Sequence, residues 1–524
     1  MKTLGFARLL GTAAVLAMLP LSLSAQTLKV VMESRLSALD PIVSASHQTR
    51  DHGYLIYDTL LGLDAEQVVQ PQMADWDVSE DGKVYTFTLR DGLAFSDGAP
   101  VTSADCIASI DRWSQRDTMG KALMTVTERI EAIDDKSFRV TLSTPTSIIL
   151  DAFAKPSGVP LFIMPERVAK APLSEPITDY TGSGPFVFEA DRFEPGVHAF
   201  YRKNEAYVPR DEPPSWFAGG KVAKVDEIER IEMADQLTSL NALTSGEIDY
   251  LQTVPFDLMP MLEGNEDITR VTLDSIGYQI GYRLNALQPP FDNKLVREAA
   301  LYAIGQADAM QAQFGDPSFY EICGAAFGCD LPYASDEMAD MVVESDIDKA
   351  KALLAEAGYD GAPVMLFHVT DISAFDSVPL VMAEQLRAAG FTVEMQSMDF
   401  MTMLSRRANK GPVADGGWSI FVTSWHKTEI SDPIRSYMVS ASGEDGYAGW
   451  VKVPEIEELR TAFLSAASEE ERLRIASRIQ TLSYENGVFA PLGGYRRVTG
   501  LGKGVTGAIE APANLFWNIS KDGE

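Results

Sequence analysis

KVYTFTLRDGLAFSDGAPVTSADCIASIDRW, residues 83–113, is the stretch on which the reading of this chain turns. Tyr85, Phe87 and Leu89 alternate with Val84, Thr86 and Thr88, the period-two pattern of a strand, and Asp91-Gly92 then reads as a hairpin turn. A helix follows at once. Thr102 stands where an N-cap belongs, Asp105 three residues on completes the capping pair, and Ile107, Ile110 and Trp113 recur at helical spacing. Downstream, SFRVTLS (137–143) alternates again through Phe138, Val140 and Leu142. The first third of the chain is therefore expected to be α+β with antiparallel strands.

Further along the rhythm changes. Asp348 is read as starting a helix that runs through Leu353 and Leu354 to a stop at Gly358, and PVMLFHV (363–369) supplies a nearly continuous apolar strand. A second helix passes through Val378, Met382 and Leu386 to Gly390, after which FTVEMQSM (391–398) and WSIFVTSW (418–425) read as strands. Strand, helix, strand in that order calls for a right-handed crossover and parallel pairing. This half is expected to be a mixed α/β lobe around one sheet. Breaks near Thr181 to Pro185, Pro289-Pro290 and Gly493-Gly494 divide the blocks, and neither internal repeats nor low-complexity tracts occur.

The amino-terminal end reads as an export signal. Lys2 and Arg8 provide a basic start, an apolar run extends from Leu9 to Leu21 broken by Gly11, Thr12 and Pro20, and small residues Ser22, Ser24 and Ala25 follow. That run is shorter than the roughly 20 residues a bilayer-spanning helix needs. Residues 1–25 are expected to be removed as a signal peptide, and because the first Cys is Cys106, no lipid anchor is expected at the new terminus. The mature chain would then be free in a periplasm-like space, and it is long enough to require more than one domain.

Composition excludes one class of partner. The formal net charge is −31, and export would remove two positive charges more, whereas nucleic-acid phosphates require a basic face. In an oxidising compartment, Cys323 and Cys329 in ICGAAFGC are expected to form a disulfide, leaving Cys106 free, helical and buried. Closing so short a loop contributes on the order of 2 to 3 kcal/mol.

Signs of catalysis are absent. His47, His52, His198, His368 and His426 are scattered, no HExxH pair occurs, and the Cys spacing lacks the two knuckles of a zinc site. Gly502, Gly504 and Gly507 match GxGxxG, but AIEAPAN follows where a dinucleotide site needs a helix. No GxxxxGK[ST] loop is present, so ATP would be handled by another polypeptide. No enzyme activity, cofactor or metal is expected. A secreted peptide hydrolase and a sensing or chaperone-like binding module remain the competing readings.

Several ordered blocks carry a resemblance: YDTLLGLD (57–64), LRDGLAFSDGAPVTSADC (89–106), GSGPF (182–186), PPFDNKLVREAALYAI (289–304), AKALLAEAGYDG (350–361), YENGVFAPLGGYRR (484–497) and LFWNIS (515–520). Together they resemble the oligopeptide, dipeptide and nickel class, family 5, of ABC-importer solute-binding proteins across nearly the whole mature chain. The resemblance implies an α/β, two-lobed periplasmic-binding-protein fold of the large peptide-binding class (type II). Lobe I is expected at 27–62 with 182–280 and 490–524, an inserted α+β subdomain at 63–181, and lobe II at 281–489. It further implies a monomer that closes on a small peptide or amino-acid-derived solute and delivers it to a membrane permease and its ATPase.

By the same likeness, VTSWHKTEISDPI (422–434) corresponds to a passage in which dipeptide-binding members hold the ligand's amino group with an acid. Glu429 or Asp432 would take that role, with Trp425, His426 and Tyr495 as aromatic cleft walls and Arg496 or Arg497 as a carboxylate partner. One departure matters. Where those relatives carry a carboxylate-gripping Arg after the strand PVMLFHV, this chain has Asp371. A cationic or blocked peptide, or an opine-like conjugate, therefore suits it as well as a plain dipeptide, and the nickel option is weakened by the lack of an imidazole-rich cluster.

Overall fold

The computed structural model describes residues 26–521 apart from 147 and 467, so the export segment read at 1–25 lies outside the described residues. Three larger sheets organise the chain. The first runs in the order 269–271, 499–501, 250–251, 27–31, 227–231, 198–203, 186–188, with Thr27–Val31 parallel to both of its neighbours. The second runs 320–321, 489–495, 278–284, 420–426, 364–369, 393–398. Its Val364–Val369 and Val393–Met398 strands are parallel, joined by helix Val378–Ala389, which is the crossover the sequence pattern requires. Gly358 (φ 67) and Gly390 (φ 102) end their helices in the left-handed conformation. The helix that Gly358 ends is capped by Asp346 and not by Asp348, because the Asp346 carboxylate accepts the Lys349 N–H.

The third sheet is wholly antiparallel, in the order 74–78, 84–89, 137–142, 127–132, and carries the α+β block on which the sequence reading turned. Asp105 accepts from both the N–H and the hydroxyl of Thr102, fixing the start of helix Ser103–Ser114, and Cys106 is buried within it. The hairpin is a different one from that read. Val84–Leu89 pairs with Ala74–Val78 before it and with Ser137–Leu142 long after it, while Asp91-Gly92 leads into a loop closed by the Ala94–Pro100 bridge. Cross-strand packing accompanies this pairing: Phe87 stands opposite Phe138 and stacks on it with centroids 5.1 Å apart.

Two short segments, 272–277 and 496–498, carry the chain between the first and second sheets. The return therefore falls later than the 490 read from sequence. Phe489–Tyr495 looked broken at Gly493-Gly494, yet it pairs along its length with Tyr278–Leu284. The register shifts once, with Gly281 opposite Pro491 and Ile280 opposite Gly493, so that Leu492 bulges beside a proline that has no N–H to give. Cys323 and Cys329 are joined as a disulfide.

At the first crossing Gly277 has φ 78, and a Cβ there would lie 2.5 Å from the Tyr495 carbonyl oxygen at the second. Gly277→Ala is expected to destabilise the fold by about 1–3 kcal/mol through strain and overpacking. Urea unfolding of the two proteins measures this; an unchanged midpoint would show that the crossings are not packed as described.

Candidate functional site

The cleft between the lobes holds two adjoining hollows of about 480 and 310 Å³ that share Glu33, Ser34 and Met401. Arg35, Glu232, Asp371 and Asp399 line the larger, and His47, Gln48, Arg407, Trp425 and Arg497 the smaller. Each side chain arrives from the end of an element: Glu33 follows strand Thr27–Val31, His47 begins helix His47–Ile56, Trp425 sits near the end of strand Ile420–His426, and Asp399 caps helix Phe400–Arg406. Strand and helix ends at an interlobe opening are where ligand sites concentrate.

Charge in the cleft is arranged rather than scattered. Arg497 pairs with Glu33 at 2.7 Å, donates to the Tyr278 hydroxyl at 3.1 Å and lies 4.0 Å over that ring. Burial alone would lower the Arg497 pKa, but Glu33 and the tyrosines raise it well above the ordinary value, so it stays a cation. Glu232 is held by Arg230 at 3.1 Å.

Of the acids read from sequence, Asp371 lines the larger hollow and accepts the Phe400 N–H at 2.8 Å. Glu429 lines neither hollow. It is buried where the lobes meet, accepting from the Ser157 hydroxyl, the Gly158 N–H (2.9 Å), His47 Nε2 (3.1 Å) and the His426 N–H (3.1 Å). Ser157, Gly158 and His47, at the start of helix His47–Ile56, lie more than 270 residues before Glu429, which follows strand Ile420–His426 of the second sheet, so this carboxylate ties distant parts of the chain together. Burial would raise its pKa; His47, Arg50 and Ser157 outweigh that and hold it well below the usual carboxylate range. Asp432 caps the turn at Ile434 and Arg435 and pairs with Arg435, lining a separate hollow near Tyr333 and Phe463.

The aromatic residues divide similarly. Trp425 lines the smaller hollow and stacks on Tyr437 at 5.5 Å. His426 is fully buried between Asp274 (2.8 Å) and Thr428 (2.6 Å), and Tyr495 is sandwiched by Tyr278 and Phe314, so both hold up the cleft floor without lining it. Of the two arginines weighed, Arg497 faces the cleft and Arg496 donates to the Ser275 carbonyl. Sequence reasoning missed Glu33, His47, Arg407 and Asp399. None sits in a motif, although the Asp399 cap was legible in DFMTMLSRR. Among the described residues no group of His, Cys, Asp and Glu is placed to hold a metal ion.

Two lobes, a cleft at their junction and paired crossings define a periplasmic-binding-protein fold. The family model for bacterial extracellular solute-binding proteins, family 5 (middle region), matches residues 68–447, and this chain belongs to that family. Among its relatives is the Sinorhizobium fredii protein named "Probable peptide ABC transporter periplasmic-binding protein y4tO", 36% identical over 95% of this chain and 93% of that protein. The glutathione-binding protein GsiB of Salmonella typhi is 26% identical over 97% of this chain and 96% of its own length. Solved structures share the fold: the binding protein AgaA of A. tumefaciens with agropinic acid (TM-score 0.78, 23% identity, covering 95% of this chain and 99% of that one) is one. A Pseudoalteromonas dipeptide-binding protein with Met-Leu (TM-score 0.78, 18% identity, 95% and 100%) is another.

Because the Glu429 pKa is depressed in the folded protein, its contribution is fully present above the free carboxyl value of about 4.3 and is lost as pH falls from there through the lowered value. Glu429→Gln is expected to destabilise the protein by about 2–5 kcal/mol at neutral pH. The gap between the two proteins should narrow as pH drops below 4.3 or so. Unfolding midpoints measured across pH would contradict the assignment if the gap stayed constant.

Proposed function

We propose that this chain is the periplasmic receptor of an ABC importer, capturing a small peptide or amino-acid-derived solute between its lobes and presenting it to a membrane permease powered by a separate ATPase. The observation that carries this reading is the cleft itself: two adjoining hollows lined by both signs of charge and by apolar walls, with a buried carboxylate tying the lobes at its edge. Such a site recognises polar solutes by fixed charges while aromatic walls accept varied side chains. Closure is favoured only by contacts that a solute makes with both lobes at once.

The relatives' names point to the same ligand class, since peptides, glutathione and agropinic acid are all amino-acid derivatives. The basic, apolar and small-residue segments at 1–25 support export with cleavage. We read the chain as a monomer and as a binder that returns its solute unchanged. The second reading is supported by placement: neither His426 nor Thr428, whose hydroxyl it meets at 2.6 Å, lines either hollow, and His47 is engaged by Glu429.

Ligand-stripped protein screened against peptides and opine-like conjugates is expected to show stabilisation by at least one of them. The gain should reach about 2.7 kcal/mol at a concentration one hundred times Kd, together with a smaller scattering radius. The bound solute should be recovered intact. If no small solute stabilises or compacts the protein, the receptor reading fails, and turnover of the solute would favour the hydrolase.

A further inference from the structure

We infer that the cleft holds an elongated amphoteric solute with its carboxylate in the smaller hollow and its cationic end in the larger one, the polarity being set by Arg407 at one end and by Asp371 with Asp399 at the other. This rests on the receptor reading and deepens it by naming the ligand's charge pattern.

Arg407 carries the argument at the first end. Half-buried on the wall of the smaller hollow, its guanidinium donates to the Tyr447 hydroxyl at 2.7 Å and lies 5.1 and 5.6 Å from the Tyr447 and Phe421 ring centroids. Among the described residues it forms no ion pair, unlike Arg497 beside it, which has Glu33. Two residues lining the same hollow, Trp425 and Arg497, each leave a buried N–H (Nε1 and Nε) without an acceptor. Unmet buried donors cost about 1–3 kcal/mol each, and a carboxylate brings two oxygens able to accept. The Glu33 Oε1 and Gln48 Oε1 atoms, on the same walls, are buried acceptors without donors and would receive an amide N–H of the solute. Phe375, Phe400 and Leu404 give methylene groups an apolar lining.

The larger hollow has the opposite character. Glu33 is engaged by Arg497 and Glu232 by Arg230, whereas Asp371 accepts the Phe400 N–H and Asp399 the N–H and hydroxyl of Thr402, and neither acid forms an ion pair among the described residues. Partial desolvation raises the Asp371 carboxyl; the Phe400 N–H and Arg35 work against this and the neighbouring Asp399 charge adds to it, and the net direction is upward. A cation between the two acids would relieve that repulsion. Glu429 cannot serve in this way, because hydrogen-bond donors already occupy both of its oxygens. The polarity is thus the reverse of a site with an acid at 429 and a base at 371.

Nα-acetyl derivatives of ornithine, lysine and arginine carry the three features together: carboxylate, amide N–H and a distal cation. Calorimetric titration of the mature protein is expected to show binding of at least one, with Nα-acetylnorleucine (no cation) and Nα-acetyllysinamide (no carboxylate) weaker by about tenfold or more. Arg407→Gln should weaken binding of the acetylated lysine by a similar factor. Asp371→Asn should do so for the lysine derivative but leave the norleucine derivative unaffected, a difference that general misfolding would not produce. Equal affinity for a singly charged analogue, or unchanged affinity in either variant, would overturn the inference. If none of the three binds while another solute does, the polarity falls and the receptor reading stands; if no solute binds, the receptor reading itself falls.

Discussion

Strand Tyr278–Leu284 is bonded along both edges, to Phe489–Tyr495 on one side and to Ile420–His426 on the other, and all seven of its residues are buried. Its two flanking partners place three functional parts in register. The strand begins where the chain first leaves the amino-terminal sheet, Phe489–Tyr495 ends where the chain returns to it, and Ile420–His426 delivers Trp425 to the cleft and leads to Glu429. Backbone pairing therefore holds the two crossings side by side. Arg497 lies in the returning crossing and carries its charge into the cleft, so hinge and binding surface share residues.

Buried charge is expensive unless it is met, and this chain meets it with groups from different lobes. Glu429 collects donors from His47, Ser157 and Gly158 across the junction, and Arg50, itself bonded to Ser157 and Asp51, supports the same cluster. Replacing such a cluster by apolar packing would often cost little, so its main effect is on geometry: in this arrangement the carboxylate takes donors from His47, Ser157 and Gly158 at once. Elsewhere the same logic fixes the interior of the first lobe, where Asp58 takes Lys221, Tyr207 and Gln72 together. The cleft differs. There the unpaired Arg407, Asp371 and Asp399 stand apart, and their separation, rather than their number, carries the specificity.

Much of the architecture was legible because it depends on local rules. The capping pair Thr102 and Asp105, the Gly358 and Gly390 helix stops, the crossover from Val364–Val369 to Val393–Met398 and the Cys323–Cys329 bond all follow from spacing within one or two elements. Failures arose where a choice between partners was needed. The Asp91-Gly92 hairpin lost to Phe87 on Phe138, and the strand through Gly493-Gly494 looked broken because a bulge at a proline interrupts its alternation. Trp425, Asp371 and Arg497 were reached through the family likeness, whereas Glu33, His47 and Arg407 were not, since nothing within their own segments distinguishes a cleft charge from a surface one.

By itself the sequence determined the class of element at most positions and the block order that marks the family, because periodicity, caps and motif order are properties of neighbouring residues. Only the tertiary structure decided that Glu429 belongs to the contact between lobes and that Arg407 stands without an acid beside it. Those facts depend on residues hundreds of positions apart meeting in a low-dielectric junction, and the energy of a charge there is set by its surroundings and not by its place in the chain.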